Sequence, residues 1–481
     1  MKEKIKIFLL LVFVPTFLVA QKVSLKEAIE TTLQRNERIA QYKERVIQKE
    51  YQEKSSWGNF LPSIEFKASY THLNQNMDIN LNPIRDAMIT LQSGNQAEFM
   101  NLSNILSGLG ALSPAQKLAV KNQSAALLNT LLPEFKQTFK KQDYLTATFQ
   151  GVQPLFTGGK LLAAKNYAKA EKEASEIELV KIENEAVSET VANYLRSALL
   201  KEVVKVRKEV LTGIQEHKKR AQKLYDEGVI ANYHVLRANV ALSEAENKLS
   251  EDESNYRLSL LALKNSIGTE TEIEPADSIK FFPIAVTLEE SLASASKNQP
   301  ILRLLDKKKI GAEQNYNLSI SSFLPTVAAF GKFELYPEYL SSLEPRWAVG
   351  LQMNLSVFNG FKDHIKVQEA KHLENEVSLL QSDTRKKIEL WVSKAYSEIE
   401  KNRIKYEKLN STIELAIENV RQNEKRFETG MGISLEVIDA HLMLEKARLE
   451  SYLSLFDYYR SAADLMLAVG EPESILKIWN N

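Results

Sequence analysis

WAVGLQMNLSVFNGFK, residues 347–362, carries a change of period that decides the fold. Trp347, Val349, Leu351, Met353, Leu355 and Val357 alternate with Ala348, Gly350, Gln352, Asn354 and Ser356, and the run ends at Phe358. A period of two gives a strand one apolar and one polar face. Asn359-Gly360 ends the alternation, and residues 361–429 then contain neither proline nor glycine. Within them Val392, Ala395, Ile399, Asn402, Tyr406, Leu409, Ile413, Ala416 and Val420 recur at spacings of three and four, a coiled-coil seam. At 1.5 Å per residue the helix predicted here is about 100 Å long. A strand of about ten residues, the length of a tilted barrel strand, therefore feeds a very long helix.

The same junction occurs earlier. Leu155-Phe156-Thr157-Gly158-Gly159-Lys160 faces Val357-Phe358-Asn359-Gly360-Phe361-Lys362 at an offset of 202. The offset persists at Tyr225-Asp226-Glu227-Gly228 against Phe427-Glu428-Thr429-Gly430, and at Ile267-Gly268 against Val469-Gly470. Upstream, VSLKEAI (23–29) matches VTLEESL (286–292), and Phe60-Leu61-Pro62 matches Phe323-Leu324-Pro325, both at an offset of 263. The chain is thus a tandem repeat, with a first copy at 21–285, a second at 286–470 and a tail at 471–481. The offsets differ by 263 − 202 = 61 residues, so the first copy carries an insertion of that size, at about 75–142.

Each copy opens with a helical stretch, 25–59 and 288–322. Ser24 and Thr287 are predicted N-caps, each with Glu three residues on. Phe-Leu-Pro ends the stretch, because proline disfavours helix in the residue before it. A strand pair follows: from Ser63 with Ile64, Phe66, Ala68 and Tyr70 on one face, and 145–155; then 326–336 and 347–358. Tyr70, Tyr144, Tyr336 and Trp347 fall towards the same strand ends, where an aromatic girdle would sit. A long helix comes next, 160–227 or 361–429, the first interrupted only by Gly213. Glycine turns at 228–232 and 430–434 lead to return helices at 233–267 and 435–469. These are half as long, so an opening helix and a return helix can stack end to end along one long neighbour. Four strands cannot close a membrane barrel, for which eight is the minimum, so membrane insertion by these strands requires several chains.

Composition narrows the function. Of 481 residues 44% are hydrophobic and 26% charged, typical of a folded protein. Lys+Arg and Asp+Glu both total 62, so no basic surplus points to nucleic acid. The absence of cysteine excludes disulfides, thiolate metal sites and cysteine nucleophiles. Lys2, Lys4 and Lys6 followed by the apolar run Ile7 to Ala20 read as a secretory signal peptide, 1–20. No other stretch has the apolar length of a transmembrane helix.

These features together resemble the TolC-type outer-membrane efflux proteins over about residues 23–470. The resemblance rests on the two VxLxE openings, the two Phe-Leu-Pro junctions, Pro154-Leu155-Phe156-Thr157-Gly158-Gly159 with Val357-Phe358-Asn359-Gly360, and the two late Gly228 and Gly430 blocks. It implies a mostly α fold with a small β part: a homotrimer pooling twelve strands into one transmembrane barrel in outer-membrane lipid, continued by a long periplasmic helical barrel. It implies a passive conduit, not an enzyme, that docks on a periplasmic adaptor and an inner-membrane pump, with no cofactor, no catalytic residue and no metal. By position Gly228 and Gly430 match the tunnel tip that meets the adaptor. Glu436 and Asp439 match the acidic pair that rings the pore constriction, and such a ring favours cations. The family's polar lock at the tip, a tyrosine, an arginine and an aspartate, falls here on Phe427, Gly432 and His234. Phe427 lacks a hydroxyl and Gly432 a charge, so that lock cannot form. His234 and Arg237 occupy in the first copy the offsets of Glu436 and Asp439, and with Phe427 they are the candidates for gating.

Other signals give way to simpler readings. Thr157-Gly158-Gly159-Lys160 is not a phosphate loop: Pro154 stands where glycine is needed and Leu161 where Ser or Thr is needed. His364 and His372 could share a helix face, but two ligands do not make a metal site. The insertion sits where a barrel hairpin would turn outside the cell; its segment 113–129 is compatible with helix, and a lid or a surface binding loop is the expectation. A structural coiled-coil or adhesin-like envelope protein is the alternative from another class, which the strand alternation disfavours.

Overall fold

The computed structural model describes residues 21–341 and 344–479, so the signal-peptide reading lies outside the described residues. In chain order the first repeat holds β1 (Gln21–Val23), α1 (Leu25–Arg35), α2 (Glu37–Gly58), β2 (Ser63–His72), β3 (Met77–Asn80), α3 (Asn82–Leu106), α4 (Pro114–Leu131), β4 (Lys136–Lys140), β5 (Asp143–Phe156), α5 (Lys160–Asp226), α6 (Asn232–Ile267) and β6 (Ile273–Pro275). The second holds α7 (Leu288–Asn298), α8 (Pro300–Ile320), β7 (Thr326–Glu334), β8 (Trp347–Asn354), α9 (Lys362–Glu428) and α10 (Ser434–Val469), followed by α11 (Leu476–Trp479). Two compact units emerge: residues 57–161 with 320–360, and the remainder.

The strand unit is a four-stranded antiparallel sheet in the order β2-β5-β7-β8. Its register aligns the alternation found in the sequence. Phe66 faces Phe149, Phe149 faces Phe333, and Phe333 faces Trp347. Two residues along, Ile64, Gly151, Gly331 and Val349 form the next row. One face is therefore apolar across all four strands, and Ile64, Phe66, Val349, Leu351 and Met353 on it are each more than half exposed. β2 and β8 end the sheet with unpaired edges. The aromatic residues do gather at one end, where Tyr144 stacks on Tyr339 at 5.7 Å.

The helical unit repeats itself closely. Both expected capping boxes form, at Ser24 with Glu27 and at Thr287 with Glu290. Neither opening helix is continuous, however. Each breaks at the same repeat position, Asn36 and Gln299, where the backbone turns extended. Asn36 Oδ1 accepts from the Arg38 and Ile39 N–H groups at 3.0 and 3.3 Å and so restarts the helix. In the second copy Pro300 opens the new helix. Each return helix ends against that break, rather than at an end of the whole opening stretch. Gly268, after α6, would place a Cβ 3.0 Å from the Arg35 carbonyl oxygen; Gly470, after α10, would place one 2.7 Å from that of Asn298. Both glycines have positive φ, +74° and +91°, a left-handed helix end that glycine adopts without strain.

Ion pairs fix α2 along α5: Arg38–Glu185 at 2.6 Å, Arg45–Glu178 at 3.5 Å and Lys49–Glu171 at 3.0 Å. The main core lies where both repeats meet, around Tyr194, Leu263, Val392, Tyr458 and Tyr459. The tail belongs to this core. Trp479 packs on Tyr459 at 4.9 Å, and Asp277 Oδ2 accepts from Trp479 Nε1 (3.1 Å), Tyr194 Oη (2.7 Å) and the Leu25 N–H (3.2 Å). That carboxylate ties the first turn of α1, the inter-repeat linker and the tail together.

Candidate functional site: the hairpin tips

Both long hairpins turn on a glycine. Gly228 and Gly430 share a φ of +74°, and open space surrounds a Cβ built on either. The Gly228 N–H donates to the Tyr225 carbonyl (2.9 Å) and the Val229 N–H to that of Leu224 (2.8 Å). The Gly430 N–H donates to the Phe427 carbonyl (3.1 Å) and the Met431 N–H to that of Arg426 (2.9 Å). The two turns are thus the same device, closing the carbonyls left over at a helix end.

What packs beneath them differs. Phe427 is 1% exposed and forms a small core with Ala221, Val235, Ala238 and Val437, drawn from all four helices. Its equivalent Tyr225 is 40% exposed. The missing hydroxyl at Phe427 fits this burial, since a phenol there would need a partner. Against Phe427 lies the His217 ring, 4.7 Å away, whose Nε2 is 2.7 Å from Ser434 Oγ. His441 sits over Gly213, where a Cβ would come within 2.6 Å of the imidazole, and its Nε2 is 3.1 Å from Glu424. Burial pushes His217 down to about 4, with His441, Arg220 and His234 adding repulsion. Burial likewise lowers His441, opposed by Glu424. Arg220 reaches Glu428 at 3.0 Å and Glu424 at 3.8 Å.

The residues singled out in the sequence separate into two environments. His234 is 8% exposed with Nδ1 buried and unpartnered, and burial lowers its pKa. Arg237 is exposed. In the second copy Glu436 lies in the first turn of α10, where its carboxylate accepts from the Ile433 N–H at 3.4 Å and faces Arg426 at 3.4 Å. An acid there complements the helix dipole as well. Asp439, one turn on, is exposed. The histidine pair His217 and His441 was not singled out in the sequence; the lone glycine of α5, Gly213, was its one visible trace. Farther along, Arg207 bridges the hairpins, donating to Asp252 at 2.7 Å and to Glu445 at 2.5 Å. Among the described residues no group of acids and histidines could hold a metal ion.

A duplicated frame of strand pair and long hairpin, with an uncovered apolar sheet face, defines a class of envelope channel proteins. The sequence matches the family described as "Outer membrane efflux protein" over residues 28–269 and 292–471, and the chain belongs to that family. No curated protein matches it by sequence. Among solved structures it is similar to the outer membrane protein VceC of Vibrio cholerae (15% identity, TM-score 0.70, 93% of this chain and 96% of that one). It is similar also to the Campylobacter jejuni CmeC outer membrane channel (15%, 0.70, 93% and 85%). The open state of the Neisseria gonorrhoeae MtrE outer membrane channel is a third likeness (15%, 0.67, 93% and 89%). At such identities the likeness is one of fold.

Proposed function

We propose that this protein is the outer-membrane conduit of a tripartite export system, passive and without catalysis. Three chains pool their sheets into a barrel of twelve strands, and the helical hairpins continue the passage through the periplasm. The observation that carries this reading is the sheet: one face apolar and exposed across four strands, with two open edges. In lipid every strand edge must be paired, so the sheet needs copies of itself. No helix among the described residues is long and apolar enough to cross a membrane. The glycine turns at Gly228 and Gly430 supply a narrow tip for a periplasmic adaptor driven by an inner-membrane pump. Glu436 and Asp439 of three chains ring the constriction there, with His234, Arg237 and Phe427 shaping its movement.

Planar-bilayer recording on protein extracted from the outer membrane tests this directly. The protein is expected to form discrete channels blocked by multivalent cations on the tip side, and Glu436→Ala with Asp439→Ala should relieve most of that block. Channels whose block is unchanged would move the acids away from the pore. A soluble monomer without conductance would end the channel reading and favour an envelope coiled coil.

A further inference from the structure

The insertion contains a helical surface that this chain leaves uncovered. α3 and α4 form an antiparallel pair: Lys117 reaches Glu98 at 2.9 Å near the turn, and Arg85 donates to the Asn129 and Leu132 carbonyls at the other end. The buried side of α3 presents Ile89, Ser93 and Ala97. On the opposite side runs a second apolar stripe: Ile84, Met88, Leu91, Phe99, Leu102 and Leu106, each more than half exposed. Their spacing, with the exposed Asn95 filling the central position, is 4-3-4-4-3-4. That averages 22 residues in six steps, close to the helical period, so the stripe keeps to one face along the whole helix. A two-helix hairpin has no second layer against which to bury such a stripe.

Three observations identify what covers it. First, the pair is rooted at the end of the sheet: the Leu73 N–H donates to the Gln142 carbonyl at 2.8 Å, and Lys140 pairs with Glu344 at 3.4 Å. It is continuous with β2, an open edge of the sheet. Whatever pairs with β2 stands beside the insertion too. Second, the stripe has one amide at its centre and apolar residues on both sides, the pattern that sets register between like helices at a cost in stability. Third, the helix lacks the marks of a lipid-surface helix. Its charged residues are Arg85, Asp86 and Glu98, and it has no lysine, tryptophan or tyrosine.

We propose that the α3 stripes of neighbouring copies pack against one another, forming a helical cap at the outer mouth of the barrel. The cap rests on the trimeric reading given above and extends it: the insertion is a second oligomerisation surface, separate from the strands. Asn95 of each copy meets its equivalents at the cap's centre, which fixes the helices in register. The occupant is thus a second copy of this chain, rather than lipid or another protein.

The chain has no cysteine, so single cysteines report directly. Leu102→Cys and Leu91→Cys are placed on the stripe and Thr90→Cys on the far side of α3, each in the full chain. Mild oxidation in outer-membrane vesicles should link roughly two of every three chains as disulfide dimers at the stripe positions, the limit for a trimer. Thr90→Cys should give at least tenfold less. A stripe cysteine that stays unlinked while the detergent-extracted protein has the mass of a trimer overturns the cap and leaves the barrel reading intact. A monomeric mass overturns both. Quenching of a fluorophore on Leu102→Cys by spin-labelled lipid would assign the stripe to the bilayer and reject the cap.

Discussion

The two hairpin turns begin as copies and end as different machines. Gly228 and Gly430 adopt the same φ and close their helices with the same hydrogen bonds. Around them the copies part. Tyr225 faces outward where Phe427 is fully buried, and Gly213 admits the His441 ring where its equivalent Leu415 is 73% exposed. His234 is buried in the first copy, whereas Glu436 pairs with Arg426 in the second. Duplication preserved what the backbone requires, a left-handed residue at a sharp turn. It left the side chains free to specialise, because a pair of hairpins packed together has an inside and an outside. The first hairpin contributes Ala221, Val235 and Ala238 as a socket, and the second contributes Phe427 as the plug.

The largest test of that asymmetry removes the plug. Phe427→Ala should destabilise the detergent-solubilised protein by about 3–5 kcal/mol, the usual cost of emptying an aromatic core site. Tyr225→Ala, at the equivalent position, should cost below about 1 kcal/mol because the ring is exposed. Chemical denaturation of both variants measures the pair. Equal losses would show that the turns carry equivalent packing in solution and would break the comparison.

The next largest effect separates the hairpins by pH. His217 is held at about 4 against an ordinary 6.5, so the unfolded chain binds its proton more readily than the folded one. Stability therefore falls as pH drops from 6.5 towards 4 and is fully present above that window. The difference corresponds to about 3 kcal/mol once the site is forced to charge. Protonation would set a cation beside Arg220, His234 and His441, with Glu424 the nearby acid. His217→Gln can keep a hydrogen bond to Ser434 and should flatten the melting temperature between pH 4 and 6.5. Its repeat equivalent, Asn419, is already neutral, so Asn419→Ala should leave the slope unchanged. A steep slope surviving in His217→Gln would transfer the effect to His234 or His441.

Much of the architecture was legible because its signals are local. Strand alternation, capping boxes, Phe-Leu-Pro and turn glycines are each set within a few residues, and duplication showed each of them twice. The helix breaks at Asn36 and Gln299 are not legible in the apolar pattern, which runs on across both, although Pro300 marks one of them. Within the insertion the α4 segment is compatible with helix on sequence alone, whereas α3 is not legible, since residues 82–106 carry apolar residues on two opposite faces and so blur a helical period. Nothing within the tail signals its docking, which depends on Asp277, some 200 residues away in sequence. The tip core was hidden for the same reason. His217 meets Ser434 across 217 residues, and no spacing within either copy predicts that pairing.

Gly213 sharpens the comparison at its finest grain. In the interior of a 67-residue helix glycine is a poor choice, costing about 1 kcal/mol relative to alanine. Leu415 occupies the same place in the other copy and points outward. The glycine is explained by His441, whose Cε1 and Nδ1 would lie 2.6 and 2.9 Å from an added Cβ. Gly213→Ala must therefore displace the imidazole from Glu424, and the strain of about 1–3 kcal/mol outweighs the gain in helix propensity. We expect a net loss near 1 kcal/mol, and Gly213→Ala with His441→Ala should recover most of it, since the smaller side chain no longer competes for the space. Thermal denaturation of the single and double variants as a cycle isolates the coupling. Additive losses would mean that the ring is free to move aside, and the first copy's glycine would then need another cause.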